Sequence, residues 1–292
     1  MLEKSPNPVV TEHELNEIRA LIERRSGILF DESRERFFST RVREHMNHRR
    51  LSFGAELLRN IQGSNVEYDH LLERLLTQET RFRRYPEIFE ALEKKILPEL
   101  HMKKFWENPR SLRIWSAGCA TGEEPYSIAI SLCDSLEFAD AWNINILATD
   151  ISRQALHVAE RGVYSKRVLE HLSPRQIETH FQRIGDQFLV KSKVRNLISF
   201  APMNLAQSTY VGRFDCIFCM NVLIYFSEEK RSQLIQRFFE YLEPGGYLFL
   251  GHAETAARLP VKFNQIVHNG ARLLQKPMSK GEPTCPPLEE TR

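Results

Sequence analysis

The chain has 292 residues, 42% of them hydrophobic and 27% charged, and a net charge of +2. That length allows one large or two ordinary domains, and the charge balance argues against a general nucleic-acid binder. No run approaches the roughly 18 apolar residues of a membrane span and no secretory leader opens the chain, so membrane insertion and secretion are not expected and a cytoplasmic location is.

The first segments read as helices. Thr11-Glu12-His13-Glu14 is a capping box, followed at helical spacing by Leu15, Ile18, Leu21 and Ile22. Ser26-Gly27 ends that helix, and further helices are predicted over about Glu32–Arg50, Phe53–Ile61 and Tyr68–Leu76. No strand pattern interrupts them, so residues 1–90 are expected to form an all-helical N-terminal domain.

From residue 91 the pattern changes. "LRIWSA", "INILATD", "LISFAPMN", "FDCIFCMNV" and "GGYLFLG" read as apolar strands. Between them, "EPYSIAISLCDSL", "SRQALHVAERG" and "SEEKRSQLIQRFFEYLE" read as helices. Alternation of this kind predicts an α/β domain over 91–276, with a parallel sheet covered on both faces. Residues 163–197 are too long for one connection and contain a turn at Gly185-Asp186 between strand-like runs, so a small inserted β-subdomain is expected there. The polar, Pro-rich segment 277–292 is expected to be a disordered tail.

Five cysteines form an odd, sparse set that fits a reducing compartment. Cys216 and Cys219 are spaced C-x-x-C, but inside an apolar run and with no second pair at zinc spacing. They are expected to be buried strand cysteines, and no metal is expected.

The turn Gly118-Cys119-Ala120-Thr121-Gly122 follows the first strand, where open α/β sheets bind ligands. It is not the G-x-G-x-x-G of a dinucleotide fold. Glu123 and Glu124 occupy the first turn of the following helix, where they would repel a phosphate. Each also favours the positive helix end by about 0.3–1 kcal/mol, which disfavours a phosphate there equally. An adenosine ligand without phosphate remains compatible, and a sulfonium or α-amino group would gain from the carboxylates. Asp150 ends the second strand, where an acid takes ribose hydroxyls, although Asp150 or Ser152 would also serve as a helix cap. Together these features point to S-adenosylmethionine.

"RIWSAGCATGEEPYSIAI", "ILATDIS", "FDCIFCMNVLIYF" and "LEPGGYLFLGHAE", in this order, closely resemble the CheR family of chemotaxis receptor methyltransferases. The resemblance implies a Rossmann-like methyltransferase domain with a small inserted β-subdomain, preceded by an all-helical N-terminal domain. A family motif of the form Asn-Glu-Thr-x-Phe-Phe-Arg-Asp corresponds here to "QETRFRRY", in which Thr80, Phe82 and Arg84 match. Gln78, Arg83 and Tyr85 depart from it. By resemblance, Gln78, Thr80 and Arg84 touch the cofactor or the substrate carboxylate. Gly118 contacts the cofactor through its backbone, Glu124 holds its amino end, and Asp150 takes the ribose. Asn204 and Leu205 flank the adenine, Asn221 and Val222 lie on the methyl-donor side, and Tyr225 lines the reaction site.

The implied reaction moves a methyl group to a glutamate side chain, giving a methyl ester and S-adenosylhomocysteine. A glutamate, with a pKa of about 4.3, is already the nucleophile at neutral pH, so no general base is needed. Arg84 and Tyr225 are the residues expected to arrange the reaction, Arg84 by forked hydrogen bonds to the carboxylate. The implied partners are the cytoplasmic helices of chemoreceptors, met by a monomer recruited to receptor arrays. Arg34, Arg36, Arg41, Arg43, Arg49 and Arg50 on the second helix would steer acidic methylation sites. The short turn in "QRIGDQF" suggests a member that needs no tether to a receptor C-terminus. A dehydrogenase is opposed by the two glutamates. A nucleic-acid methyltransferase is opposed by "MNVLIYF", which is not an N-P-P-Y-like strand end. A non-catalytic receptor-binding module stays open because of Gln78 and the altered motif.

Overall fold

The structure, a computed structural model, describes residues 8–106, 110–136, 139–207, 212–254 and 259–278. Most of the tail expected to be disordered lies outside them. Contacts divide the chain into two compact units, Met1–Thr77 with Tyr225–Lys230, and Gln78–Ile224 with Arg231–Arg292.

In the first unit α1 (Glu12–Ser26) is followed by α2 (Glu35–Arg49), α3 (Gly54–Gly63) and α4 (Asn65–Leu75). The Thr11 hydroxyl accepts the Glu14 N–H at 3.2 Å while the Glu14 carboxylate accepts the Thr11 N–H at 2.8 Å, so the capping box forms as the sequence reads. Gly27 ends α1 in a left-handed conformation at φ 78°. Ile18, Ile22, Phe38, Val42, Leu57, Ile61 and Leu71 are fully buried, one turn or two apart on their helices.

The second unit begins with the segment at Gln78 and a long helix in three parts. These are α5 (Pro86–Ala91), a π-helical stretch Leu92–Ile96, and α6 (Leu97–Lys103). Then follow β1 (Ser111–Ala117), α7 (Glu123–Ser135), β2 (Asn143–Asp150), α8 (Arg153–Arg161), β3 (Val163–Ser165), α9 (Pro174–His180), β4 (Phe181–Ile184) and β5 (Gln187–Val190). The remainder is α10 (Ser192–Arg195), β6 (Ile198–Pro202), β7 (Phe214–Cys219), α11 (Glu228–Tyr241), β8 (Leu242–Leu250), β9 (Asn264–His268) and β10 (Ala271–Gln275).

Among the described residues the strands form a seven-stranded sheet, β6-β2-β1-β7-β8-β10-β9, and a three-stranded sheet, β3-β5-β4. The pairs from β6 to β8 are parallel, and β10 runs antiparallel to both β8 and β9. The fold is therefore the expected α/β class with an antiparallel edge. The smaller sheet is all antiparallel and lies within the segment read as an insertion, with Gly185 at φ 60° in its turn.

Alternate residues of β1 face two layers. Ile114 joins Ile128, Leu92 and Phe218 in one core, while the Trp115 ring meets Phe238 of α11 edge-on at 5.5 Å between centroids. Cys216 and Cys219 are fully buried in β7, and burial raises both thiol pKa values. The β9–β10 hairpin was not read from the sequence. Its turn is Asn269-Gly270, both at positive φ, the signature of a tight hairpin turn.

Parallel register is what assembles the site. Ala117 stands opposite Thr149, Ser116 opposite Phe218, and Asp150 opposite Pro202. The residues that follow β1, β2, β6 and β7 therefore emerge along one carboxyl edge.

Candidate active site

The turn after β1 is held by backbone bonds. Gly118 and Cys119 both donate to the Thr149 carbonyl, at 2.8 and 2.9 Å. Gly118 takes φ +89°, and a Cβ there would lie 2.4 Å from the Val222 side chain. Only glycine therefore permits this approach between the ends of β1 and β7. Ala120 adopts φ +45° and its N–H donates to Asp150 Oδ2 at 2.8 Å. Asp150 Oδ1 accepts the Ser152 N–H at 2.8 Å. The helix-cap alternative is thereby resolved, because the Ser152 hydroxyl accepts the Ala155 N–H and caps α8. Asp150 instead ties the two turns together.

The two glutamates of α7 differ. Glu123 is buried, with Oε2 accepting the Thr121 hydroxyl at 2.7 Å, and burial raises its pKa. Glu124 is half-buried, and its Oε1 accepts the Ser116 hydroxyl at 2.6 Å. Desolvation pushes the Glu124 carboxyl up to about 7, with the Ser116 bond and Arg84 opposing the rise and Glu254 adding to it. Among the described residues it forms no ion pair within bonding distance. A carboxylate short of donors is suited to a cationic ligand group, such as the amino and sulfonium end of S-adenosylmethionine.

The segment "QETRFRRY" runs alongside. Gln78 Nε2 donates to Ser152 Oγ at 2.9 Å, and Thr80 is half-buried on the same segment. Phe82 is fully buried, edge-on to Tyr164 and Phe181. Arg83, at φ +48°, turns into the fold, where it pairs with Glu93 at 2.6 Å and donates to Ser131 at 3.2 Å. Arg84 donates one bond, to the Glu79 carbonyl at 2.8 Å, and its charge acts on Glu124. Most of its five N–H donors remain for a ligand. The Tyr85 hydroxyl donates to Asn221 Oδ1 at 2.7 Å, and its ring lies 4.6 Å from that of His252.

After β6, the Met203 N–H donates to the Asp150 carbonyl at 2.9 Å, which brings Asn204 and buried Leu205 to the edge beside Asp150. Asn204 Oδ1 accepts the Ala206 N–H at 2.9 Å, and Arg237 holds the Leu205 carbonyl at 2.5 Å. After β7, Asn221 takes φ +62° and Val222 covers Gly118. Gln78, Asp150, Gly118, Asn204, Leu205, Asn221 and Val222 are thus joined by direct contacts or by adjacency along one edge, with Glu124 and Arg84 electrostatically coupled. Tyr225 falls in the first unit, where its carbonyl accepts the Leu29 N–H at 2.8 Å and its ring lies 5.0 Å from the Arg34 guanidinium.

Two residues were given no role from the sequence. Tyr85 was noted only as a departure from a motif. Glu254 ends "LEPGGYLFLGHAE" and had no assignment, yet it is 5% exposed and accepts N–H groups from Asn221, Gly251 and Ile224 at 2.9, 2.7 and 3.2 Å. A glutamate just past an apolar strand was the available signal.

The basic face of α2 is smaller than the sequence suggested. Arg34 is half-buried over the Phe30 and Tyr225 rings, Arg41 pairs with Glu44 at 2.8 Å, and Arg49 pairs with Glu67 at 2.9 Å. Arg36 and Arg43 are exposed and seven residues apart on α2, and exposed Arg50 follows as its left-handed C-cap.

The family described as CheR methyltransferase, SAM binding domain, matches residues 78–270. A chemotaxis protein methyltransferase of Vibrio parahaemolyticus is 34% identical over 88% of this chain and 94% of its own length. Chemotaxis protein methyltransferase 1 of Pseudomonas aeruginosa is 32% identical over 85% of this chain and 92% of its own. The chemotaxis protein methyltransferase of Escherichia coli is 33% identical over 90% and 91%. Among the described residues, no helix is long and apolar enough to cross a membrane.

Proposed function

The chain belongs to the CheR methyltransferase family and acts in chemotaxis as an S-adenosylmethionine-dependent methyltransferase, and from that premise we propose that it methylates glutamate side chains of chemoreceptors, forming glutamyl methyl esters. The observation that carries the reading is the electrostatic coupling of a desolvated acceptor, Glu124, to a donor-rich cation, Arg84. One takes the cationic end of the cofactor and the other takes the anionic substrate.

S-adenosylmethionine supplies a methyl group activated by its sulfonium. The residues that would hold it are Gly118 and Glu124 at the methionine end, Asp150 at the ribose, Asn204 and Leu205 at the adenine, and Asn221 and Val222 beside Gly118. Gln78 and Thr80 would border it from the preceding segment. Fit is supported by Glu124, whose desolvated carboxylate accepts the Ser116 hydroxyl but forms no ion pair within bonding distance among the described residues.

Arg84 orients the incoming carboxylate with its fork of N–H groups. That carboxylate is already ionised at neutral pH, so the protein need only align it and exclude competing water. Alignment of bound reactants contributes about 7–11 kcal/mol in favourable cases. The exposed Arg36, Arg43 and Arg50 would steer acidic receptor helices, an effect that salt weakens.

The test is methyl transfer from labelled S-adenosylmethionine to receptor-rich membranes, followed by alkaline hydrolysis. The expected product is volatile methanol from an ester. Cofactor binding without transfer would instead favour a non-catalytic receptor module.

A further inference from the structure

Beyond β7 the turn that carries Asn221 and Val222 is held by side chains, the Tyr85 hydroxyl on Asn221 Oδ1 and the buried Glu254 carboxylate on backbone N–H groups. Glu254 Oε2 accepts the N–H groups of Asn221 and Gly251 at 2.9 and 2.7 Å, and Oε1 accepts that of Ile224 at 3.2 Å. Asn221 sits at φ +62°, in the left-handed region that asparagine adopts more readily than other residues with a side chain. A Cβ on Gly251 would lie 2.7 Å from Glu254 Oε2 and 3.0 Å from the Asn221 nitrogen, so the glycine leaves room for this clamp.

We propose that Glu254 is a positioning residue of the methyl-transfer site, clamping the Asn221–Ile224 turn so that Val222 meets Gly118 and setting a second negative charge near Glu124. Among the described residues the hydrogen bonds to its carboxylate come from backbone N–H groups, so the ionised form is the one the turn matches. Burial works against that form and raises the Glu254 pKa, although the N–H groups oppose the rise. Glu254 in turn raises the Glu124 pKa, which Arg84 lowers. Among the described residues, the thiols of Cys119, after β1, and Cys219, on β7, are also coupled to Glu124. Both thiols are raised by burial and stay neutral. The charge balance at Glu124 therefore lies between Arg84 and Glu254.

Two consequences separate this role from simple packing. The turn position depends on the reach of the side chain, and the proton affinity of Glu124 depends on its charge. Glu254→Asp keeps the charge and shortens the reach. Glu254→Gln keeps the size, removes the charge and aims an amide N–H₂ at backbone donors.

The inference rests on Glu124 facing the cationic end of S-adenosylmethionine, and the experiment separates the two. Dissociation constants for S-adenosylmethionine are measured by calorimetry from pH 5.5 to 9 for wild type, Glu254→Asp and Glu254→Gln. Amide exchange at Asn221, Ile224 and Gly251 is followed in the ligand-free proteins. Wild type should bind more tightly above a midpoint near 7. Each variant should weaken binding about tenfold at pH 8, since a buried backbone donor loses its acceptor, and should speed exchange at the three amides. Glu254→Gln should also move the midpoint to lower pH, while Glu254→Asp leaves it in place. Wild-type affinity in Glu254→Asp, or an unmoved midpoint in Glu254→Gln, would overturn the proposal. If Glu254→Gln does not fold, the Glu254→Asp affinity and exchange still decide the clamp. A wild-type chain that does not bind the cofactor refutes the functional reading itself. One that binds, with variants indistinguishable from it, refutes only the role of Glu254.

Discussion

Glu124 is less stable in the folded apo protein than it would be in water. Its pKa rises from 4.5 to about 7 because burial disfavours the charge. Between those values the folded state binds more protons than the unfolded state. The Glu124 contribution to apo stability is therefore greatest below about pH 4.5 and falls as pH rises through about 7. At 1.36 kcal/mol per pKa unit the loss is roughly 2–4 kcal/mol. Glu124→Gln is expected to raise the melting temperature of the apo protein at pH 8 while weakening S-adenosylmethionine binding at least about tenfold. Thermal melts with and without cofactor measure both. An apo protein destabilised by the change would contradict this account. At the same scale, Arg84→Lys removes the forked donors but keeps a charge. It should lower kcat about a hundredfold with less than about a threefold change in cofactor affinity, on the scale of a lost transition-state hydrogen bond. Single-turnover assays beside calorimetry separate the two effects. Glu124 and Asp150 stood out in the sequence because carboxylates after a glycine turn and at a strand end are chemically conspicuous, whereas Arg84 was singled out only by resemblance to the family motif. Sequence reasoning could not find Glu254, since a clamp on three backbone N–H groups leaves no mark beyond one acidic letter.

Among the elements, the segment "QETRFRRY" shows how a motif departure is absorbed. Arg83 stands where the family has a phenylalanine, and it pairs with Glu93, both side chains at 20% exposure or less. Restoring the aromatic residue by Arg83→Phe leaves Glu93 without its partner. It should destabilise the protein by about 1–3 kcal/mol, read as a lower denaturant midpoint at unchanged slope. Gly118→Ala tests the turn after β1. With φ at +89° and Val222 2.4 Å from the new methyl, it should abolish measurable cofactor binding while the sheet still forms, as circular dichroism and calorimetry would show. The strand and helix alternation was legible because buried parallel strands are continuous apolar runs. The β9–β10 hairpin escaped because "NQIVH" and "ARLLQ" are short, half-polar edge strands, although Asn269-Gly270 marked their turn. The basic face of α2 was overcounted for a related reason. Sequence shows arginines but not that Arg34 stacks on rings or that Arg41 and Arg49 have carboxylate partners.

At the scale of the whole molecule, one unit carries the residues proposed to hold the cofactor and the other carries the exposed Arg36, Arg43 and Arg50. Steering by exposed charges acts over a Debye length of about 8 Å at physiological salt. Receptor methylation should therefore slow as ionic strength rises. Replacing the three arginines by glutamine should lower the rate and flatten that salt dependence without altering cofactor affinity. A triple variant with wild-type rates at every salt concentration would remove these arginines from receptor recognition. The central claim is that methyl groups pass from S-adenosylmethionine to receptor glutamates as esters. It is tested most directly by incubating the protein with labelled cofactor and receptor-rich membranes, then measuring alkali-labile methanol from the receptor band. The account predicts time-dependent label that alkali releases completely and that Arg84→Ala abolishes. Cofactor binding with no label in the receptor, or label that survives alkali, would contradict it.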